Sequence, residues 1–325
     1  MAPMRFAICM STVLLTLLAS APGCVRIPSS TVDRTPERAT RLPSASPVPR
    51  ALVRPRRATP PTHAAPAPAF AYAYRAPRSP DLQPIFERVR DVDLLRALPE
   101  VQAIDGMFVL PQRLRYVTAE CGEFGAFYRP EGEVVLCYET LRTLYERGQA
   151  LQRRFDLADD YPLRYTRANL RFIVMHETGH ALVHLLDLPV TGRQEDAVDQ
   201  LAAILMLRFA DVAETPAEVI DNLRMAANWM LSDSTGVYNL DAYADEHALG
   251  EQRYFNLQCL IYGTDPPAFA GMIDAGDLTA ARAARCEREM RQAARAWLRL
   301  LLPYLAPGYE AYQEEAARYI GQPGG

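Results

Sequence analysis

The chain has no lysine: all 35 of its basic residues are arginine, set against 39 acidic residues for a net charge of −4. So complete a replacement reads as coding bias, not as a binding surface. Nor is there a dense basic cluster. Ten arginines fall in residues 25–80 against only Asp33 and Glu37, thinly spread through Pro and Ala, so the rest of the chain is more acidic than the total suggests. An acidic body excludes nucleic acid as a partner, because phosphate binding needs concentrated positive charge. No stretch reaches about 18 uninterrupted apolar residues, which excludes a transmembrane helix. No two of the six cysteines stand at CxxC spacing, which argues against a thiolate metal site. No internal repeat is present.

Residues 25–80 lack glycine altogether and hold twelve prolines. That composition cannot bury enough apolar area to offset chain entropy, so the segment is expected to be a disordered, partly extended tether or a propeptide. Before it, residues 1–24 read as an export signal: Arg5, the apolar run "FAICMSTVLLTLL", then the small residues of "ASAPGC". Two processing routes fit, cleavage after the Ala19–Ala21 triplet or lipid attachment to Cys24. Either places the mature protein outside the cytoplasm, as a periplasmic, secreted or lipid-anchored species, and Cys24 would supply the membrane attachment.

Setting Cys9 and Cys24 aside leaves Cys121, Cys137, Cys259 and Cys286, an even number that suits an oxidising compartment. Pairing Cys121 with Cys137 and Cys259 with Cys286 closes the shortest loops, each bridge contributing about 3 kcal/mol. The folded body, residues 81–325, is expected to be α+β. Strand signals concentrate between 107 and 138, in "MFVL", "LRYVT", "AFY" and "EVVLCY", and predict a small, mostly antiparallel sheet. Helical periodicity follows: one helix from Thr166 or Asn169 to about Asp187, another from about Arg193 to Ala210, and a capping-box start at Thr215, Pro216 and Glu218 running through Met230. Helices over 278–302 and 309–320 close the chain.

The chemistry lies in "VMHETGHALVH", which holds three of only five histidines. His176 and His180 stand four apart, so on a helix both rings leave one face about a turn apart and can meet one ion. Glu177 is offset enough to reach a water on that ion without binding it; this is the HExxH signature of zinc peptidases. Gly179 in a helix interior predicts close approach by a neighbouring element. His184 lies about 12 Å beyond His176 along the same helix and cannot share an ion whose bonds are about 2.1 Å long. It is expected to be structural, bonded to a carboxylate.

A catalytic zinc takes a third protein ligand and leaves one position open. The segment "GRQEDAVDQLA" can double back to supply it. Glu195 is the leading candidate, with Asp196 and Asp199 as alternatives, and Asp199 is otherwise placed to accept the second N–H of a ligand histidine. For the oxyanion donor, His247 with Asp245 as its orienter is preferred, with Tyr138, Tyr238 and Tyr243 as alternatives. The strand "EVVLCYE" is offered as the edge along which an extended substrate pairs.

HExxH followed by Glu195, three residues and Asp199 is similar to the glutamate zincins. More closely, the blocks "ECGEFGAFYRPEGEVVLCYE", "HETGHALVHLLDLPVTGRQEDAVDQLA" and "DEHALGEQRYFNLQCLIYG" resemble a bacterial family of exported metallopeptidases, a domain of unknown function. This chain departs from the family pattern at Gly125, where the family has Asn. The resemblance implies a zincin-like fold, Zn2+ held by His176, His180 and Glu195, and Asp199 behind the ligands. It also implies a peptide or protein substrate, cleaved by an endopeptidase ahead of an exopeptidase. Zinc would lower the pKa of its water towards about 7 for Glu177 to deprotonate. Two rivals stand beside this reading: a zinc-stabilised, non-catalytic scaffold lipoprotein, and a metal-free module binding a cell-envelope partner.

Overall fold

A computed structural model describes residues 70–210, 213–232 and 240–321. The expected leader, Cys24 and the expected tether as far as residue 69 therefore lie outside the described residues, as does Tyr238. The described fold begins inside the segment that composition had assigned to the tether. Strand β1, Phe70–Tyr74, pairs in parallel with β2, Leu114–Ala119. Its alternate residues carry the reason: the Phe70 ring meets Tyr116 edge-on at 5.2 Å, and Tyr72 stacks on the same ring at 5.9 Å. Five residues of this kind disappear when averaged with the prolines before them.

Helices α1 (Gln83–Asp91) and α2 (Pro99–Ile104) connect β1 to β2; β3 (Ala126–Arg129) and β4 (Glu133–Cys137) follow. The sheet order is β1-β2-β4-β3, with β1–β2 and β2–β4 parallel and only β3–β4 antiparallel. The expected antiparallel sheet is thus corrected to a mostly parallel one. The cause is burial. Val134, Val135, Leu136 and Cys137 are all buried, so β4 needs a neighbour on each side and apolar cover on each face, and it inserts between β2 and β3. The hairpin turns at Gly132, whose φ of 84° an L side chain would resist and whose N–H bonds the Arg129 carbonyl at 2.9 Å. Being central, "EVVLCYE" has no free edge, so β3 takes the edge position proposed for it. "MFVL" is not a strand; Phe108 makes a single bridge to Leu305.

The helical body is α3 (Tyr138–Phe155), α4 (Tyr161–Leu185), α5 (Gln194–Arg208), α6 (Pro216–Ser232), α7 (Leu240–Ala244), α8 (Gly250–Thr264), α9 (Gly271–Asp274), α10 (Ala280–Leu301) and α11 (Glu310–Gly321). Helix α4 starts at Tyr161, about one and a half to two turns before the expected Thr166 or Asn169, because Pro162 in the first turn favours a helix start. Thr215 and Glu218 form the expected capping box: the Thr215 N–H donates to Glu218 Oε2 at 2.7 Å and the Glu218 N–H to Thr215 Oγ1 at 3.3 Å. Disulfides Cys121–Cys137 and Cys259–Cys286 pair as expected, the first tying the β2–β3 loop to the end of β4 and the second joining α8 to α10. Among the described residues no helix is long and apolar enough to cross a membrane.

Helix α4 is buried on nearly every side, between α3, α5, α6 and strand β3. Such a helix presents polar side chains to the interior only where partners await them. Arg171 is one: its guanidinium is 1% exposed and donates from Nε to both oxygens of the fully buried Glu100, 3.0 and 3.1 Å away, and from Nη2 to Glu214 at 3.0 Å.

Candidate metal centre

His176 and His180 leave one face of α4, and their Nε2 atoms come within 3.2 Å of each other. The helix stops where Asp187 adopts a left-handed conformation (φ 49°), with the Leu188 N–H returning to the Val183 carbonyl at 2.9 Å. The following loop returns the chain into α5, which packs against α4. Gly179 makes this packing close: a Cβ there would lie 2.8 Å from Cβ of Val198 on α5. The expected close neighbour of Gly179 is therefore a side chain of the returning helix.

In the first turn of α5, Glu195 points back at the histidines. Its Oε2 lies 3.0 Å from His176 Nε2 and its Oε1 3.2 Å from His180 Nε2. One turn on, Asp199 Oδ1 accepts the His176 Nδ1–H at 2.8 Å. Asp196 does not join this cluster. His247, on the segment between α7 and α8, brings its Nε2 to 3.1 Å from Glu195 Oε2, while Asp245 Oδ1 accepts both its Nδ1–H, at 3.1 Å, and its backbone N–H, at 2.8 Å.

Of the tyrosines considered as donors, Tyr138 is fully buried and its hydroxyl donates to the Arg75 carbonyl at 2.9 Å, which takes it out of the site. Tyr243 is exposed. His184 bonds through Nδ1 to the Tyr128 hydroxyl at 2.9 Å, so its partner is a phenol and not a carboxylate.

The charges are arranged in one direction. Burial works to raise the Asp199 carboxyl, but the Arg253 guanidinium and His176 outweigh it and hold the pKa below the usual range. Arg253, on α8, donates Nε to Oδ2 and Nη2 to Oδ1, both at 2.8 Å. An ionised Asp199 can only accept, so His176 Nδ1 carries the proton and its Nε2 is the free donor atom. Burial likewise opposes ionisation of Glu195, and bonds from His176, His180 and His247 reverse it, leaving the carboxyl far below normal. For His176, burial lowers the pKa, yet Asp199 and Glu195 push it up to about 9. A neutral His176 would turn a lone pair on both Glu195 and His180, an arrangement that a shared proton or a metal ion between them relieves.

The spacing of the donors is close to that of a metal site as well. Bonds of about 2.0–2.2 Å in tetrahedral array put ligand atoms roughly 3.3–3.6 Å apart. The observed separations of 3.0–3.2 Å fall a few tenths of an ångström short of that range, so the side chains need spread only slightly to take an ion. Two imidazoles and a carboxylate also match the composition of a catalytic zinc site. The residues fit a metal ion.

Glu177 is buried beside the pair. Burial pushes its pKa up, tempered by His176 and His180. The Tyr128 backbone N–H, on edge strand β3, bonds to it. A carboxylate poised above its ordinary range suits proton transfer near neutral pH. A cleft of about 490 Å³ opens beside His247, lined by Arg193, Asp196, Tyr243, Leu249 and Phe255. A second cavity, about 310 Å³ and walled by apolar residues such as Leu205 and Trp297, shares no residue with this site.

Arg253 and Tyr128 were not among the residues that sequence reasoning singled out. Arg253 lies within the "DEHALGEQRYF" block but has no spacing relation to Asp199, and Tyr128 acts through its backbone, which leaves no trace in residue type.

A family described as "Putative metallopeptidase" matches residues 74–301 of this chain, a span that takes in every residue of the site. Neither the curated proteins nor the solved structures gave a match.

Proposed function

Since the chain belongs to that putative metallopeptidase family, we propose that it hydrolyses peptide bonds with a zinc ion held by His176, His180 and Glu195. The observation that carries this is the meeting of two imidazole Nε2 atoms and one carboxylate within 3.2 Å, backed by Asp199 at the far side of His176. When bound, zinc would act as Lewis acid and lower the pKa of a water molecule towards about 7. Glu177 takes that proton and returns it to the leaving amine; its buried, raised carboxyl suits both transfers. Asp199 holds the His176 tautomer, and Arg253 holds Asp199. His247, across the cluster from α4, donates to the oxyanion that forms at the scissile carbonyl. The free edge of β3 beside Glu177 suits an extended substrate, which favours an endopeptidase, and this part of the fold would then be zincin-like.

Substitution Glu177→Gln is expected to lower hydrolysis of a quenched fluorescent peptide library by about 10²–10⁴-fold while the bound zinc stays stoichiometric. Equal turnover in parent and variant would remove Glu177 from the reaction. The two disulfides support an oxidising compartment, and we place the protein outside the cytoplasm, exported by its leader and held to a membrane through Cys24 when that residue is lipidated. One observation favours a second reading, a scaffold with a structural zinc: His247 offers a further donor to Glu195's neighbourhood, and structural sites are closed by four protein ligands.

A further inference from the structure

Donor atoms of His176, Glu195 and His247 all lie within 4.8 Å of one another, a grouping that holds without His180. His176 and Glu195 thus belong to two overlapping donor triads, one completed by His180 and the other by His247. Glu195 serves both, presenting Oε1 to His180 and Oε2 to His176 and His247. The His247 ring also runs nearly parallel to that of His176, 20° apart with centroids at 6.3 Å.

The donors differ in how firmly they are held. His176 and His180 ride on a helix buried on nearly all sides, and Glu195 on a helix locked to it at Gly179 and Val198. His247 sits on a short stretch between two helices, its side chain 41% exposed. Among the described residues, its ties to other elements apart from Glu195 are the ring contact with His176 and a 3.2 Å bond from Arg193 Nη1 to its carbonyl. The cleft of about 490 Å³ is on hand to receive the ring if it withdraws, since His247 itself forms part of that wall. Asp245 keeps its two bonds to His247 within the same stretch and would travel with it.

We infer that His247 is a displaceable fourth metal ligand: in the resting protein it occupies the corner that substrate needs, and it must withdraw into the adjoining cleft before a peptide can bind. The inference rests on the peptidase reading above and adds to it a latent state. Withdrawal exchanges one neutral nitrogen donor for an oxygen donor from solvent or substrate, so no charge or electron is transferred. The released imidazole, its Nδ1–H still held by Asp245, takes up a proton from solvent at Nε2 and only then can donate to the oxyanion.

The test uses the full chain loaded with Co2+ in place of zinc, read by visible absorption, with acetohydroxamate as the probe for the open corner. In the parent, the spectrum is expected to be that of a closed four-donor site. His247→Ala should shift it and bind hydroxamate about tenfold tighter, because the closed population no longer competes. On the unaltered zinc-loaded protein, X-ray absorption should count three imidazoles, falling to two when hydroxamate is added; this arm holds even if the variant misfolds. Two imidazoles at rest, or superimposable parent and variant spectra, would overturn the inference. Three imidazoles that hydroxamate cannot reduce would also overturn it, in favour of a structural zinc. Failure of either metal to bind would overturn the inference together with the peptidase reading, and that outcome is distinct from the others because no ligand spectrum appears.

Discussion

A methyl group on Gly179 would press on Val198 at 2.8 Å, and Val198 lies between Glu195 and Asp199 on α5. Gly179→Ala gains about 1 kcal/mol of helix propensity but overpacks a tight helix contact, which costs about 1–3 kcal/mol. The overpacking should win. Urea unfolding is expected to show net destabilisation of about 1 kcal/mol, and chelator competition a weaker metal site, because a spread of α4 from α5 draws Glu195 off the histidines. A variant as stable and as tight as the parent would show that α5 yields without moving Glu195. Arg253 acts at the same scale. Arg253→Met keeps an apolar stem but leaves Asp199 with His176 as its remaining partner in the site. Zinc affinity should fall about 10–100-fold with the helical circular dichroism unchanged. Unaltered affinity would mean that Asp199 needs no support from α8.

At the scale of elements, α4 carries both a buried ion network and the histidine pair proposed to bind the metal. Arg171 comes before His176 on that helix and connects it to α2 through Glu100 and to the approach of α6 through Glu214. The arrangement constrains where the helix lies because Arg171 and Glu100 have no water to fall back on. Arg171→Met should cost about 3–5 kcal/mol, since it leaves Glu100 buried without its counter-charge. Thermal or urea denaturation measures this directly, and a loss under about 1 kcal/mol would mean that water reaches Glu100. Strand β3 is the other element to which the proposed function assigns a role. As the edge next to Glu177 it is available for pairing, whereas β4, with its unbroken apolar run, is enclosed on both sides.

For the whole molecule, the site joins segments far apart in the chain: α4, the start of α5, the approach to α8 and, through Tyr128, the sheet. A ligand that bridges them should therefore stabilise the entire fold. At a free zinc concentration about 100 times its Kd the gain is about 2.7 kcal/mol. For a domain of this size each kcal/mol moves Tm by about 2–4 °C. Chelation with EDTA is expected to lower Tm by about 5 °C or more, with recovery on adding zinc back. A Tm indifferent to both would argue against an ion at this position. The family match covers 74–301, from the end of β1 to the last residue of α10, so α11 lies beyond it while still lining the apolar cavity.

The sequence by itself determined what local backbone geometry encodes. Spacing of four put His176 and His180 on one helix face, short loops paired the four cysteines, and Thr215 with Glu218 marked a helix start. The reach of the 188–194 loop made Glu195 a candidate to meet the histidines. What tertiary structure decided was partnership between elements, which no spacing contains. The sheet's order followed from the need to bury both sides of β4, a demand that overrode pairing between sequence neighbours. β1 became a strand only because Tyr116 was there to receive Phe70 and Tyr72. Arg253 found Asp199, and His247 found Glu195, across more than fifty residues of intervening chain. Such contacts arise from packing α8 and its approach against α5, which depends on the burial of many side chains at once and on no single residue type.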